Sequence, residues 1–122
     1  MSLKSQVRFA VVALAFSASS VASAHWAVLA YNPTTGKWGR AQCAKTYQDG
    51  LETAINTCGG EGCQRVAYTE NGYIALATGD GGWGTGSIHD SQVDADQSSL
   101  ARCSQHYSNC TVKVEAFAEF CQ

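Results

Sequence analysis

The residues best suited to chemistry lie in the second half of the chain, where Ser87, His89, Asp90 and Asp94 follow one another closely. Serine, histidine and aspartate are the residue types of a hydrolytic triad, and a histidine with two carboxylates could hold a metal ion. The spacing fits neither chemistry, because no nucleophile-elbow glycines surround Ser87 and no recognised ligand pattern includes His89. His89 and Asp90 precede a predicted helix start, where polar capping residues are expected. We therefore expect no metal site and no serine catalysis.

Two other patterns invite a chemical interpretation. Glu115 and Glu119 share one face of a predicted strand, as a carboxylate pair for glycoside cleavage could, but solvated outward-facing residues have the same spacing. The glycine-rich run at residues 79–86 lacks the Lys-Ser/Thr end of a P-loop and the glycine spacing of a dinucleotide fingerprint. Turns and close packing explain such glycines. We expect no enzyme activity and no cofactor.

The chain has six cysteines, and all of them follow residue 24. An even number in a small chain favours a disulfide framework, as found in oxidising compartments. If all six pair, no thiol remains to act as a nucleophile.

An internal repeat assigns the bridges. Trp38-Gly39 is followed by Thr46, Asp49, Ile55 and Cys58, and 45 positions later Trp83-Gly84 is followed by Ser91, Asp94, Leu100 and Cys103. A further cysteine follows each copy, at Cys63 and Cys110. Duplication favours pairing within each copy, Cys58 with Cys63 and Cys103 with Cys110. Cys43 and Cys121 then pair by exclusion.

The first 24 residues have the pattern of a secretory signal peptide. Lys4 and Arg8 form a positive region, residues 9–16 are apolar, and residues 22–24 (Ala-Ser-Ala) are a small-residue cleavage site. The apolar run is too short to span a membrane. We expect residues 1–24 to be removed and residues 25–122 to form one domain, secreted or periplasmic, with no membrane span after cleavage.

The elements that position these residues follow the repeat. In the first copy we predict strands at 26–31, 37–42 and 64–69 and a helix from the Thr46 cap to Cys58. In the second we predict strands at 73–77, 82–87 and 111–120 and a helix from the Ser91 cap to Cys103. The fold class is α+β: a duplicated β-β-α-β unit (about 25–70 and 71–122), with an antiparallel-rich sheet, two helices packed on one face, and disulfide staples.

The strand pattern predicts an open aromatic face. If the helices cover the side of Leu29, Ile74, Leu76 and Val112, the other face carries Trp26, Trp38, Arg40, Tyr73, Trp83 and Phe117. Such a face is typical of an interaction surface. The alternative is that the tryptophans pack on one another as a secondary core.

The charge balance restricts the partners. The chain has a net charge of −2, and removal of Lys4 and Arg8 leaves six basic against ten acidic residues, a net of −4. An acidic domain is a poor match for nucleic acid or an anionic membrane and would suit a basic partner.

Taken together, the elements resemble a known family. The segments WAVLAYNPTTGKWG and NGYIALATGDGGWG, the two helices ending in Cys58 and Cys103, and the terminal strand closing with Cys121 are similar to the small secreted bacterial domain of unknown function 4189. The resemblance covers nearly all of residues 25–122. It implies a cysteine near the position of Tyr73 as the partner of the terminal cysteine; here the extra cysteine is Cys43. The family implies no activity, cofactor or catalytic residue.

We therefore expect a non-enzymatic binding protein. The favoured target is another protein, with an inhibitor or immunity-type role against a toxin or a cell-wall enzyme. The alternatives are a glycan or peptidoglycan binding module, since aromatic rings stack on sugars, and a secreted factor acting on host or competitor cells.

Overall fold

The computed structural model describes residues 24–121, which form six strands and two helices. In chain order these are β1 (Trp26–Tyr31), β2 (Trp38–Ala44), α1 (Tyr47–Cys58), β3 (Gln64–Glu70), β4 (Tyr73–Asp80), β5 (Gly82–Ile88), α2 (Gln92–Ser104) and β6 (Ser108–Phe117). The predicted signal peptide, except for Ala24, lies outside the described residues. Neither of the two described helices has the length and apolar character of a membrane span.

The α+β class and the three disulfides are confirmed, but the prediction of a single sheet is wrong. The strands form two antiparallel three-stranded sheets, with orders β2-β1-β3 and β5-β4-β6. Each half is a β-β-α-β unit whose first strand lies in the middle of its own sheet. The two sheets stack, and each helix packs on the outer face of its own sheet rather than on a face shared by both.

The main core lies between the two sheets. Leu29, Ile74 and Leu76 are fully buried there, with Tyr31 and Val114 beside them. Leu29, Ile74 and Leu76 were expected under the helices of the predicted single sheet. Stacking the sheets buries this face against its counterpart, so the helices must cover the opposite faces, which carry Val28 and Ala30 in the first half.

Small residues under each helix allow the close approach that this arrangement requires. A Cβ added to Gly39 would lie 2.1 Å from the Ala54 carbonyl oxygen of α1, and one added to Gly84 would lie 2.5 Å from the Cys103 nitrogen of α2. The helix starts are as predicted: the side chain of Thr46 accepts from the Asp49 backbone N–H at 3.0 Å, and Ser91 accepts from Asp94 at 3.1 Å. The repeat therefore conserves the geometry that docks a helix on a sheet.

The three disulfides are Cys58–Cys63, Cys103–Cys110 and Cys43–Cys121, the same pairs that the sequence predicts. The first two join a helix end to the following strand within one half. The third, which we call the clasp, joins β2 of the first half to the segment after β6 of the second. Cys43 lies opposite a register shift in β1 and has a left-handed backbone with φ of 55°. The clasp therefore fastens one edge of the two stacked sheets.

Candidate functional site

The residues considered for catalysis have structural contacts. The Ser87 hydroxyl donates to the Tyr68 backbone oxygen at 3.4 Å and so links β5 to β3 across the stack. A ring nitrogen of His89 lies 3.1 Å from the Asn71 backbone oxygen in the turn between the halves. Among residues 24–121, no group of three metal-ligating side chains comes together, and every cysteine is in a disulfide.

The six residues of the predicted interaction face lie in three places. Cross-strand pairing puts Trp38 beside Tyr31 and Arg40 beside Leu29, on the side of the first sheet that faces the second. Trp83 packs against the core from the other sheet, with its ring 5.9 Å from that of Tyr31. The structure does not bring these three together with the remaining members of the predicted set.

The other three members lie on the outer faces. Tyr73 and Phe117 are cross-strand neighbours on the side of the second sheet that carries α2. Trp26 lies on the corresponding side of the first sheet, where it contacts α1. Trp38 and Phe117 remain exposed, by 36% and 41%, whereas Trp83 is partly buried as secondary core.

Trp26 belongs to a cluster that sequence reasoning did not find. Its ring centroid lies 5.5 Å from that of Tyr47, at the start of α1, and 6.4 Å from that of Tyr68 in β3. The Tyr47 and Tyr68 rings are 5.5 Å apart. We call Trp26, Tyr47, Arg65 and Tyr68 the aromatic corner. Tyr68 is 45% exposed, so the corner presents aromatic surface to solvent.

Arg65 fixes the aromatic corner in place. Its Nη1 donates to the Tyr47 hydroxyl at 2.7 Å, and its guanidinium lies 4.4 Å from the Tyr68 ring centroid. A cation over an aromatic face is an attractive contact. Because Arg65 contacts both tyrosines, it limits the rotamers that their side chains can adopt. The sequence carries no signal for this cluster, because Tyr68 is placed beside Val28 only by the β1–β3 register.

The equivalent place in the second half has acidic character. Glu115 pairs with Ala75 in the second sheet, at the position that Tyr68 has opposite Val28 in the first sheet. Gln92 is the first residue of α2, as Tyr47 is the first residue of α1. A hydrogen bond between the Glu115 and Asp96 carboxyl groups raises the pKa of Glu115; desolvation and the charge of Asp96 raise it further, and Arg40 opposes them. We call this group the acidic corner, which consists of Tyr73, Gln92, Asp96 and Glu115.

A cleft opens at the turn end of the stack. It has a volume of about 330 Å³ and is lined by Tyr31, Pro33, Trp83, Tyr107 and the glycines at 79, 81 and 82. We call it the turn cleft. A larger hollow of about 430 Å³ lies beside β2 and the start of α1, lined by residues that include Arg40, Lys45 and Asp49 but no aromatic side chain.

Fold and surface together define a small disulfide-bonded α+β domain built from two similar halves. The chain belongs to the DUF4189 family, described as a domain of unknown function, whose family model matches residues 26–117. Comparisons with curated proteins and with solved structures gave no match.

Proposed function

We propose that the protein is a secreted or periplasmic binding protein whose target is another protein, held through the aromatic corner. The observation that carries the proposal is the partly exposed cluster of two tyrosines, a tryptophan and an arginine, in which Tyr68 and Arg65 are exposed and Trp26 and Tyr47 are half-buried. These are the residue types that supply most of the binding energy at protein interfaces. The predicted signal peptide and the three disulfides support the compartment.

The aromatic corner is suited to binding because it is already ordered. The contacts of Arg65 with Tyr47 and Tyr68 fix side chains that a flexible surface would have to immobilise on association. Ordered side chains reduce the entropic cost of forming a complex. The corner also lies at β3, an edge strand of its sheet, so a partner has access to it from the side.

An inhibitor or immunity-type role suits this arrangement. A small domain with three disulfides keeps its shape, and residues 25–122 carry six basic against ten acidic residues, a balance that complements a basic target. A toxin or a cell-wall enzyme with a basic surface is the favoured target. Action on host or competitor cells is the alternative use of the same surface, and recovery of the protein outside the producing cells would favour it.

The test is capture with matched variants. The oxidised protein, affinity-tagged, is used to isolate partners from its own cells, in parallel with Tyr68→Ser and with Tyr107→Ser, a tyrosine of similar exposure at the far end of the domain. We expect Tyr68→Ser, but not Tyr107→Ser, to lose one partner that the wild-type protein captures. The affinity of the purified partner for Tyr68→Ser should be at least roughly tenfold weaker than for wild type. Inhibition of that partner's activity by the wild-type protein supports the inhibitor role. Capture that is equal for all three proteins, with their folds intact, removes the proposal.

A further inference from the structure

We propose that the turn cleft binds one ring of a neutral saccharide. This site is separate from the aromatic corner, and the proposal does not depend on the protein partner. It goes beyond that function by assigning a second ligand of a different chemical class to the opposite end of the domain.

Three of the seven residues that line the turn cleft are aromatic: Tyr31, which is largely buried, Trp83 and Tyr107. The Tyr31 and Trp83 rings meet edge to face, with an interplanar angle of 71°. Tyr107 enters from the loop between α2 and β6 and is 37% exposed. Flat aromatic surfaces that carry a hydroxyl or an indole N–H can pack on the apolar face of a sugar ring and donate to its oxygens.

Glycines make room for Tyr107. A Cβ added to Gly82 would lie 2.1 Å from Cζ of Tyr107, so the tyrosine ring rests directly on the backbone of the β4–β5 hairpin. Gly81 has φ of 91°, a conformation that other residues rarely adopt. Gly79, Gly81 and Gly82, at the start of the glycine-rich run, thus line the cleft, whereas Gly84 lies beneath α2.

The cleft is preorganised by a disulfide. Cys103–Cys110 spans the loop that carries Tyr107, and the Tyr107 backbone N–H donates to the Cys103 oxygen at 2.9 Å. A ligand that enters the cleft therefore meets a loop that is already held in place, which lowers the entropic cost of binding.

The polar groups favour a neutral polyol. None of the lining residues is charged, so a phosphate or carboxylate group would find no cation among them. Among the lining side chains, the Tyr107 hydroxyl can both donate and accept, and the Trp83 indole N–H can donate, which suits the hydroxyl groups of a sugar.

The size of the cleft favours a saccharide over a proline-rich peptide. A polyproline helix advances about 3.1 Å per residue and docks in a groove with successive pockets. The turn cleft is one compact space of about 330 Å³, which suits a single ring.

The three tryptophans provide the readout. In a ¹H–¹⁵N NMR titration of the oxidised protein with N-acetylglucosamine tetrasaccharide and, separately, with cellotetraose, the Trp83 indole signal should shift while those of Trp26 and Trp38 stay in place. Trp83→Phe assigns the signal. Tyr107→Ser should weaken binding roughly tenfold or more, and Tyr68→Ser should leave it unchanged.

Three results would overturn the proposal. The first is that the Trp83 indole signal does not shift with either sugar up to about 10 mM, a very weak limit of affinity. The second is that Tyr68→Ser weakens sugar binding as much as Tyr107→Ser does. The third is that decaproline shifts the Trp83 signal and neither sugar does. If Tyr107→Ser does not fold, Tyr107→Leu, which keeps an apolar side chain but removes the ring and its hydroxyl, replaces it and should also weaken binding. Because protein capture is read with Tyr68→Ser and sugar binding with Tyr107→Ser, failure of one proposal is distinguishable from failure of the other.

Discussion

The aromatic corner and the acidic corner occupy the same place in the two halves but have different chemistry. In the first half, Tyr68 and Tyr47 meet beside Trp26 and are joined by Arg65. In the second half, Glu115 occupies the position of Tyr68 and shares a hydrogen bond with Asp96. One corner offers apolar surface with a cation above it, and the other offers a pair of carboxyl groups.

The difference shows which parts of the repeat are free to change. Gly39 and Gly84 each lie directly beneath a helix, where any side chain would collide with the helix backbone. The corners lie at the beginning of each helix, where the two halves carry different side chains although both helices dock in the same way. Binding therefore has to be sought in the residues that the two halves do not share, and four tests measure this contrast from the largest expected effect to the smallest.

The first test compares the clasp with the staples inside the halves. Replacing Cys43 and Cys121 by serine should lower the free energy of unfolding by about 4.5 kcal/mol, because that bridge closes the longest loop. Replacing Cys58 and Cys63 should cost about 2 kcal/mol, and replacing Cys103 and Cys110 a similar amount. Urea unfolding of the three double variants gives the values. Equal losses in all three would show that loop length does not govern the contribution.

The second test examines the glycine beneath each helix, a feature that the two halves share. Gly39→Ala and Gly84→Ala should each lower the free energy of unfolding by about 3 kcal/mol, because the added methyl group meets helix backbone. Gly36→Ala is the control: it has open space around it, and only its φ of 78° opposes the change, at about 1 kcal/mol. Thermal and urea unfolding provide the measurement. A large loss in one half alone would contradict the equivalence of the helix docking.

The third test removes the central residue of each corner. Trp26→Ala should cost about 2 kcal/mol, because the indole contacts two other rings. Tyr73→Ala, at the equivalent position, should cost about half as much, since none of the ring pairs found among residues 24–121 includes Tyr73. Urea unfolding at neutral pH compares the two variants. Equal losses would mean that the aromatic corner adds no stability of its own.

The fourth and smallest effect is a pH dependence in the acidic corner. The pKa of Glu115 is raised above its ordinary value of 4.5, first by its hydrogen bond with Asp96. The folded state therefore holds this proton more tightly than the unfolded state, and the stabilisation present at low pH is lost as pH rises through the raised pKa. The difference in free energy of unfolding between Glu115→Gln and wild type should thus be more favourable to the variant at pH 7 than at pH 4.

Urea unfolding at both pH values measures this change, with Glu52→Gln, an exposed carboxylate on α1, as the control. Asp96→Asn should reproduce the effect of Glu115→Gln, since each removes one member of the pair. If the Glu115 variant and the Glu52 control change equally with pH, the carboxyl pair is not responsible.

Local features of the fold could be predicted because they depend on local chemistry. The helix caps at Thr46 and Ser91 and the staple that follows each helix have sequence signatures of a few residues. The stacking of the sheets does not follow from the alternation of β1, because alternation predicts only one buried face. The strand is apolar on both faces, with Val28 and Leu29 both fully buried, and such a run is typical of a strand covered from both sides.

The candidate binding surfaces were less accessible to sequence reasoning. Trp26 was included in the predicted face, but its neighbours Tyr47 and Tyr68 come from a helix and another strand, and no spacing along the chain relates them. No sequence pattern identifies Tyr107, because its position depends on Gly82 allowing its ring to approach. Both sites arise where separate elements meet, and a linear pattern does not encode such meetings.

The apolar interface between the sheets bears on how a chain of this kind can arise. Either half alone would leave one sheet face, with Leu29 or Leu76, open to water. In the stack, β2 of one half contacts β6 of the other, and β3 contacts β5, an exchange that a twofold relation between the halves would produce. A single ancestral unit could therefore have covered this face with a second copy of itself, as a homodimer. Joining two copies in one chain would make that association independent of concentration and leave each corner free to acquire its own chemistry.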